Sequence, residues 1–350
     1  MTEVAKHPYK TAPDRSFWSR AVAQSYNSAD LTSFETVLIT KNDKVVSAGS
    51  CFASNLVPYL ERSGLTYHRT ETMHPAFSDH VDETFGYAEF SASYGNIYTV
   101  RQLLQLLRRC RGQFTPEESF WIDKHSYVDP FRPGLKYRAR SEREFHALTR
   151  QHLDRTFSAF KEATVFVLTL GLTESWVSNA DGAVFPACPG TIAGQFDANR
   201  HKFHNFTVGE VELDLATFIS EVRQINPDLR FIVTVSPVPL VATATGGHVL
   251  PASTYSKSVL RVAAESAAHR FTGVTYFPAY EIVTGPQAPD SFFKDDKRDV
   301  TPEAVDTVMA AMLAHCEIHG QVARKARATA PVRISEVLVD AECEEVMAER

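Results

Sequence analysis

The sequence lacks the cysteine pattern that disulfide frameworks and zinc sites require. Only five cysteines occur in 350 residues, and no two of them stand in a CxxC spacing. Disulfide frameworks usually use an even set, and structural zinc sites usually present close pairs. We therefore expect no disulfide framework, no zinc site and no bound cofactor. The cysteines are Cys51, Cys110, Cys188, Cys316 and Cys343.

Long apolar runs and a surplus of positive charge are also missing. No stretch approaches the roughly 18 consecutive apolar residues that a membrane helix needs. The first residues, MTEVAKH, contain no apolar core of a secretory signal. The net charge is −6 and no basic stripe occurs. These absences argue against a membrane span and a nucleic-acid partner, and they predict a cytoplasmic protein.

What the chain does contain is an alternation of apolar strands and amphipathic helices. Residues 44–48, 164–170 and 230–236 are short β-branched runs, typical of strands buried on both faces. Residues 65–69 and 274–277 are predicted to form two more strands. Helical patterns cover about 52–60, 97–109, 142–162, 208–225, 255–270 and 301–315. This alternation predicts a three-layer α/β/α fold with a flavodoxin-like parallel sheet.

The regular pattern covers only the middle of the chain. Residues 1–40 are predicted to form an irregular N-terminal arm, 41–319 the α/β domain, and 320–350 a linker with a short helix. Two loop-rich insertions are expected inside the domain, near 112–142 and 178–207. In the last helix of the domain, Thr301 suits the N-cap and Pro302 the first helical position.

Small and polar residues follow three of the predicted strands. They are Gly49-Ser50-Cys51, Gly171-Leu172-Thr173-Glu174 and Ser236-Pro237. Ligands of open parallel sheets bind at the carboxyl ends of the strands, so a polar site is expected there. At such a turn, Ser50 or Cys51 would be a nucleophile whose oxyanion could be bound by backbone N–H groups. The alternative is a Ser N-cap followed by a buried Cys.

Five short blocks resemble those of one known family. Residues 48–53, AGSCFA, resemble the motif of the GSCFA domain family, which groups with the SGNH (GDSL-like) hydrolases. The segments 94–99 (YGNIYT), 168–174 (LTLGLTE), 235–239 (VSPVP) and 296–301 (DKRDVT) resemble its later blocks. Together they span roughly residues 40–315 in the family's order.

The resemblance implies ester chemistry with a nucleophile in the first block. In the relatives this block is Gly-Asp-Ser, with the Ser as nucleophile. A match without a gap places Cys51 on the nucleophile, and a shift by one residue places Ser50 there. We favour Ser50, because a thioester route through Cys51 would need an activating base that the sequence does not place.

The resemblance also implies an oxyanion hole. The relatives build it from the N–H of the nucleophile, a second-block Gly and a third-block Asn. Gly95 matches the Gly, whereas Thr173 stands where the Asn is expected, followed by Glu174. The Thr hydroxyl has one donor to offer. The alternatives are a turn glycine at 95 and a helix N-cap at 173.

The fifth block departs from the family at the catalytic base. Relatives carry Asp-x-x-His there, but this chain has Asp296-Lys297-Arg298-Asp299. One hypothesis makes Asp299 the base, with its pKa raised by burial or by the nearby Asp295 and Asp296. The other hypothesis supplies a histidine from a loop, either His74 or His204.

Four further residues beside the blocks are predicted to bind substrate: Asn96, Glu174, Trp176 and Arg298. Trp176 could form a stacking wall for a sugar ring with Tyr94 and Tyr98, and Arg298 could bind an anionic group. Packing aromatics and a surface arginine are the alternatives.

The predicted function is that of an SGNH-type ester hydrolase or O-acyltransferase acting on an acylated carbohydrate or a similar polar substrate. The rival prediction is a binding or scaffold protein that has lost the catalytic His. A metal centre built from Asp295, Asp296, Asp299 and Glu174 is disfavoured, because three of the four are nearly adjacent and no His accompanies them. No metal is therefore expected, and the oligomeric state is left open.

Overall fold

A computed structural model describes residues 7–32, 34, 36–72, 87 and 89–317. Its strands, in chain order, are β1 (Lys44–Ala48), β2 (Thr66–Tyr67), β3 (Trp121–Asp123), β4 (Ser126–Val128), β5 (Val165–Leu170), β6 (Glu174–Ser178), β7 (Val184–Phe185), β8 (His201–Asn205), β9 (Arg230–Val235) and β10 (Val274–Tyr276). Its α-helices are α1 (Cys51–Ser54), α2 (Leu56–Ser63), α3 (Val100–Cys110), α4 (Glu142–Glu162), α5 (Val208–Arg223), α6 (Val249–Arg270), α7 (Ala279–Thr284) and α8 (Pro302–Leu313).

A five-stranded parallel sheet forms the centre of the domain, in the order β2-β1-β5-β9-β10. Numbered along the chain, these strands follow the order 2-1-3-4-5, which is that of flavodoxin-like sheets. The order of the strands reverses at β1, because β2 lies on one side of it and β5 on the other. The predicted central parallel sheet is therefore confirmed.

Alternate residues of the sheet pack against two helical layers. Phe166 and Leu168 of β5 belong to the hydrophobic cluster that includes α3, α4, α5 and α6. Val165 and Val167 belong to the cluster on the opposite face, which includes α2, α7 and α8. Because β5 is covered on both faces, all of its side chains are buried. This explains the continuous apolar run that predicted it.

The predicted helices differ from the structure in several details: the helix predicted over 255–270 begins at residue 249, and α7 was not predicted. Two further differences have a local reason. The helix expected over 52–60 is interrupted at Asn55, so that α1 has only four residues. Pro58 explains the break, because it has no N–H to donate and its ring crowds the carbonyl of Ser54, four residues earlier. Thr301 precedes α8 but makes no capping bond. Its hydroxyl instead donates to the carbonyl oxygen of Ser291.

The two insertions contain strands where loops were expected. In the first, β3 and β4 form an antiparallel hairpin. In the second, β7, β6 and β8 form a three-stranded antiparallel sheet in that order. These strands are two to five residues long and carry many polar residues, so their sequence shows little of the period-2 pattern that identifies a strand.

The N-terminal arm lies against the last helical layer. It contains short 3-10 turns and a π-helical segment, Ser19–Gln24. His315, just after α8, accepts a backbone hydrogen bond from Leu38 and packs edge to face with Phe34. No helix within the described ranges is long and apolar enough to cross a membrane. The helix predicted near the C-terminus lies outside the described residues.

Candidate functional site

Two of the polar turns identified in the sequence meet at the point where the strand order reverses. Gly49 and Ser50 follow β1, and Gly171 follows β5, the neighbouring strand on the other side from β2. Such a reversal opens a crevice at the carboxyl ends of the strands, where ligands of this architecture bind. The candidate site is therefore built at this edge.

Gly49 is required by a close approach of two strands. A Cβ atom at this position would lie 2.7 Å from both the Cβ and the carbonyl oxygen of Thr169, and 2.9 Å from the Cβ of Ala53. Contacts this short do not occur between real side chains, so only glycine fits. The backbone of Ser50 is thereby held tightly over the end of β5.

The second block closes over the same edge. The Ile97 N–H donates to the Gly49 carbonyl at 2.8 Å, and the Leu172 N–H donates to the Tyr98 carbonyl at 2.9 Å. The Tyr94 hydroxyl donates to the Ser47 carbonyl. The first two of these bonds join the first three predicted blocks through the backbone, with the 94–98 loop as the bridge, and the Tyr94 side chain adds a third contact.

Ser50 occupies the N-cap position of α1 but does not cap it. Its side chain accepts no capping hydrogen bond. The residue is only 5% exposed, and Oγ has no hydrogen-bond partner among the described residues. Leaving a buried hydroxyl unpaired costs about 1–3 kcal/mol. A capping role therefore does not explain this serine.

Cys51 is the first residue of α1, and its side chain lies outside the described part of the structure. The helix that follows Ser50 has only one turn before the break at Asn55. A helix dipole grows with the number of aligned peptide units. The short helix α1 therefore stabilises a negative charge at this turn less than the uninterrupted helix predicted from the sequence would.

Thr173 already uses the donor that was expected to bind an oxyanion. Its hydroxyl donates to Oδ1 of Asn205 at 2.7 Å, and its N–H donates to Oγ of Ser256 at 3.0 Å. A threonine hydroxyl has a single proton to donate. Nδ2 of Asn205 makes no hydrogen bond with any described residue. The donor that is free next to Thr173 is thus the amide of Asn205, at the end of β8. The oxyanion role of Thr173 stays a prediction.

Gly95 lies in the bridging loop with a φ of +67°, a conformation that favours glycine. This geometry fits the turn glycine and leaves its oxyanion role a prediction. Next to it, Asn96 is partly exposed, and its side-chain amide makes no hydrogen bond with any described residue. That amide is available to a ligand, as its predicted role requires.

Helix α6 adds three polar residues to the edge that the sequence analysis missed. Ser253 accepts from the Leu240 N–H, Ser256 accepts from Thr173, and Lys257 donates to the Gly171 carbonyl at 2.7 Å. All three are buried. The i, i+3, i+4 spacing, which places them on one face of a helix, was the available signal.

Two predicted substrate-binding residues are held by the second insertion and its neighbours. Glu174 accepts from the Thr243 hydroxyl at 2.6 Å and from the Ala244 N–H at 3.2 Å. Trp176 packs edge to face with Phe196, with ring centroids 5.2 Å apart. Their roles toward substrate stay predictions.

The two tyrosines of the proposed stacking wall are core residues. Tyr94 and Tyr98 are buried and belong to separate hydrophobic clusters. Neither ring has a face open to a sugar. If a stacking wall exists, Trp176, which is only partly buried, is its remaining member.

The fifth block forms a tight loop before α8. The carboxylate of Asp296 accepts the N–H groups of Arg298 and Asp299, each at 3.0 Å. Asp299 pairs with Nη1 of Arg298 at 2.9 Å and with Nζ of Lys294 at 3.3 Å. Asp295 is exposed. Asp299 is thus in contact with two cations, and its predicted role as the base stays a prediction.

The candidate histidines are not seen at the site. His74 lies outside the described residues. His204 pairs with Glu210, which caps α5, at 2.8 Å. It follows that His204 points away from Thr173, since neighbouring residues of a strand face opposite sides and Asn205 points toward it. Among the described residues, no group of three or more His, Cys, Asp or Glu side chains could hold a metal ion.

A buried charged cluster lies behind the bridging loop. Its members are Glu71, Arg109, Asp129, Arg132 and His152, all buried. The Arg132 Nε donates to Asp129 at 2.9 Å, and the Glu71 carboxylate accepts from His152 at 2.7 Å. Burial alone would raise the pKa of Glu71, but His152, Arg132 and a backbone N–H outweigh it and hold the pKa at about 2.

This cluster predicts a loss of stability in acid. A carboxyl with a lowered pKa stabilises the fold above its unfolded value, 4.5, and this contribution, about 3 kcal/mol, is lost as the pH falls toward 2. Urea unfolding between pH 7 and 3 should show the decline. Glu71→Gln should make the decline shallower, because the remaining carboxyls with lowered pKa values, such as Asp43 and Asp129, still contribute. The exposed Glu142→Gln should leave the decline unchanged. Equal pH dependence in all three proteins would contradict the prediction.

Sequence comparison with known proteins shows a family for this chain. The model of the GSCFA family matches residues 44–312, which is more than half of the chain and includes every block that meets at the site. No curated protein matches the chain.

Proposed function

Since this chain belongs to the GSCFA family, we propose that it is an ester hydrolase or O-acyltransferase of the SGNH type, acting on an acylated carbohydrate or a similar polar substrate. The observation that carries the proposal is the side chain of Ser50. Its hydroxyl is buried at the reversal of the strand order and has no hydrogen-bond partner among the residues that the structure describes. A nucleophile that must meet an acyl carbon is a physical reason for such an unpaired group.

In the proposed reaction, Ser50 Oγ attacks the acyl carbon and loses its proton, and the alcohol of the ester leaves with a proton. Water or a second hydroxyl then takes the acyl group from Ser50. The same scheme applies to Cys51 if its thiolate is the nucleophile. Water as acceptor gives hydrolysis, and a sugar hydroxyl gives transfer.

We assign the free amide of Asn205 to the oxyanion. Its Nδ2 is unengaged while its Oδ1 holds the Thr173 hydroxyl, so that Thr173 acts as a positioning residue. Removing one such donor from an oxyanion hole typically lowers the rate about 10²–10³-fold. Gly95 and the N–H of the nucleophile complete the hole in this proposal.

Lys257 is proposed as a second positioning residue. Its ammonium group donates a hydrogen bond to the Gly171 carbonyl. The next residue, Leu172, makes the backbone hydrogen bond to Tyr98 that joins the second and third blocks. Three proton acceptors were predicted from the sequence, Asp299, His74 and His204. Because His204 is paired with Glu210, the proposal keeps Asp299 and His74.

A second function, ligand binding without catalysis, is favoured by one observation. Asp299 occupies the position where relatives carry His and is paired with two cations. Both of its carboxylate oxygens are thus already engaged, one by Arg298 and the other by Lys294, and not by a serine hydroxyl. The fold would then bind the polar substrate class without turning it over.

Covalent labelling separates the two functions. The purified protein is treated with an activated acetyl ester and with a fluorophosphonate, and intact mass and peptide mapping locate any adduct. We expect one adduct per chain, on Ser50. An adduct on Cys51 would identify the thiol as nucleophile. A folded protein that forms no adduct between about pH 6 and 9 would contradict catalysis and favour the binding function.

A further inference from the structure

An open groove runs along the surface between α5 and α6. Three alanines line it, Ala216, Ala263 and Ala267, together with two charged residues, Glu212 and Arg270. The alanines are buried under the surface. The α5–α6 groove has about 240 Å³ of room and is open to solvent. The proposed reaction uses none of these residues.

Large apolar side chains border the α5–α6 groove and face solvent. Leu213 of α5 is 65% exposed and lines the groove, and Val262 of α6 is 54% exposed. Val262 lies one helical turn before Ser266, which also lines the groove. Single exposed apolar residues are ordinary, whereas several that border one groove are typical of an interaction site. The short alanine side chains let a second pair of helices approach closely.

Opposite charges lie at opposite ends of the α5–α6 groove. α5 leads into β9 and α6 leads into β10, and these strands are parallel, so the two helices run in the same direction. Glu212 lies near the start of α5, and Arg270 is the last residue of α6. Neither residue forms an ion pair within the part of the chain that the structure describes. Both charges are therefore available to a partner.

We propose that the α5–α6 groove is the interface of a homodimer, in which it packs against the same groove of a second copy of this chain. A two-fold axis across the groove reverses the direction of the second copy, so that Glu212 of each copy faces Arg270 of the other. The charge pattern selects a second copy as the occupant, because one surface used twice forms both ion pairs at once. Leu213 of each copy then packs over the alanines of the other. The dimer is independent of the ester reaction, so the proposal stands if that reaction is disproved.

Sedimentation equilibrium of the full chain tests the proposal. We expect the mass to rise from 39.0 kDa toward twice that value over about 1–200 μM protein, as for a small, reversible interface. Added sodium chloride should weaken the association, because it screens exposed charges. A mass of 39.0 kDa at every concentration would overturn the proposal. Slow hydrogen exchange of the groove in such a monomer would assign the groove to another segment of the chain.

Two leucine variants locate the interface. Leu213→Glu should abolish the association, because it places two carboxylates in the apolar part of the dimer contact. Leu250→Glu is the matched control, since Leu250 is 67% exposed on α6 and does not line the groove. Circular dichroism confirms that both variants are folded. Association that persists in Leu213→Glu, or that is lost equally in both variants, would contradict the proposal.

A charge exchange tests the antiparallel arrangement. Glu212→Arg and Arg270→Glu should each raise the Kd of the dimer about tenfold or more, because each places like charges opposite one another. The double variant restores opposite charges and should recover the wild-type Kd to within about threefold. A double variant that associates as weakly as the single variants would show that these residues do not meet, and would refute the two-fold contact.

Discussion

Ser50→Ala is expected to abolish ester turnover and leave the fold as stable as before, or more stable. Loss of a nucleophile lowers kcat by on the order of 10³-fold or more. The stability effect follows from Oγ, which has no hydrogen-bond partner in the described part of the chain, since removing it relieves the cost of burying a hydroxyl without a hydrogen bond. Turnover of an activated acetyl ester and urea unfolding of the same samples measure both effects.

Ser256→Ala is the control for stability. Its hydroxyl accepts the Thr173 N–H, so this variant should lose about 1 kcal/mol or more of unfolding free energy. If Ser50→Ala lost stability in the same way, Ser50 would be a structural serine, as the N-cap hypothesis holds. If it kept both stability and turnover, the nucleophile would have to be sought at Cys51.

Gly49→Ala is expected to be the most destabilising small substitution at the site. The new methyl group would overlap Thr169 and Ala53, and neither strand β5 nor helix α1 can move aside without breaking the sheet or the turn. Overpacking of this kind costs about 1–3 kcal/mol and sometimes more. Urea unfolding gives the loss, and fluorophosphonate labelling at Ser50 should fall with it.

Gly112→Ala separates the overlap from backbone strain. Gly112 has a φ of +66°, but a Cβ there meets nothing within 4 Å. Gly112→Ala should therefore lose only about 1 kcal/mol of unfolding free energy, from backbone strain alone. Similar losses in both variants would show that the contact with Thr169 is relieved by a small movement and that Gly49 is not required by packing.

The central fold could be predicted because its strands are covered on both faces. Residues 165–170 of β5 and 230–235 of β9 are nearly continuous apolar runs, and a sequence window reveals them directly. The antiparallel strands could not be predicted in this way. His201–Asn205 of β8 pairs with β6 across an intervening loop and contains four polar residues, so its strand state comes from the partner and not from its own pattern.

The sequence predicted those residues of the candidate site that lie in recognisable motifs. The blocks around Ser50, Gly95 and Gly171 meet at one edge of the sheet, as the strand ends indicated. Asn205 and Lys257 were not predicted, because each lies in an element that contains no motif. Only the fold brings them to Thr173 and Gly171. The hydrogen bond from the Thr173 hydroxyl to Asn205 was not predicted either, since a sequence does not show which acceptor a hydroxyl binds.

The short connection between β5 and β6 has a consequence for engineering. Only residues 171–173 separate the two strands, so the small antiparallel sheet begins directly after Thr173. Exchanging β6, β7 and β8 for those of a relative would therefore also displace Thr173 and the candidate site around it. Libraries aimed at a new substrate should instead vary the surface segment 195–200, which lies between β7 and β8 and leaves the 171–173 connection intact.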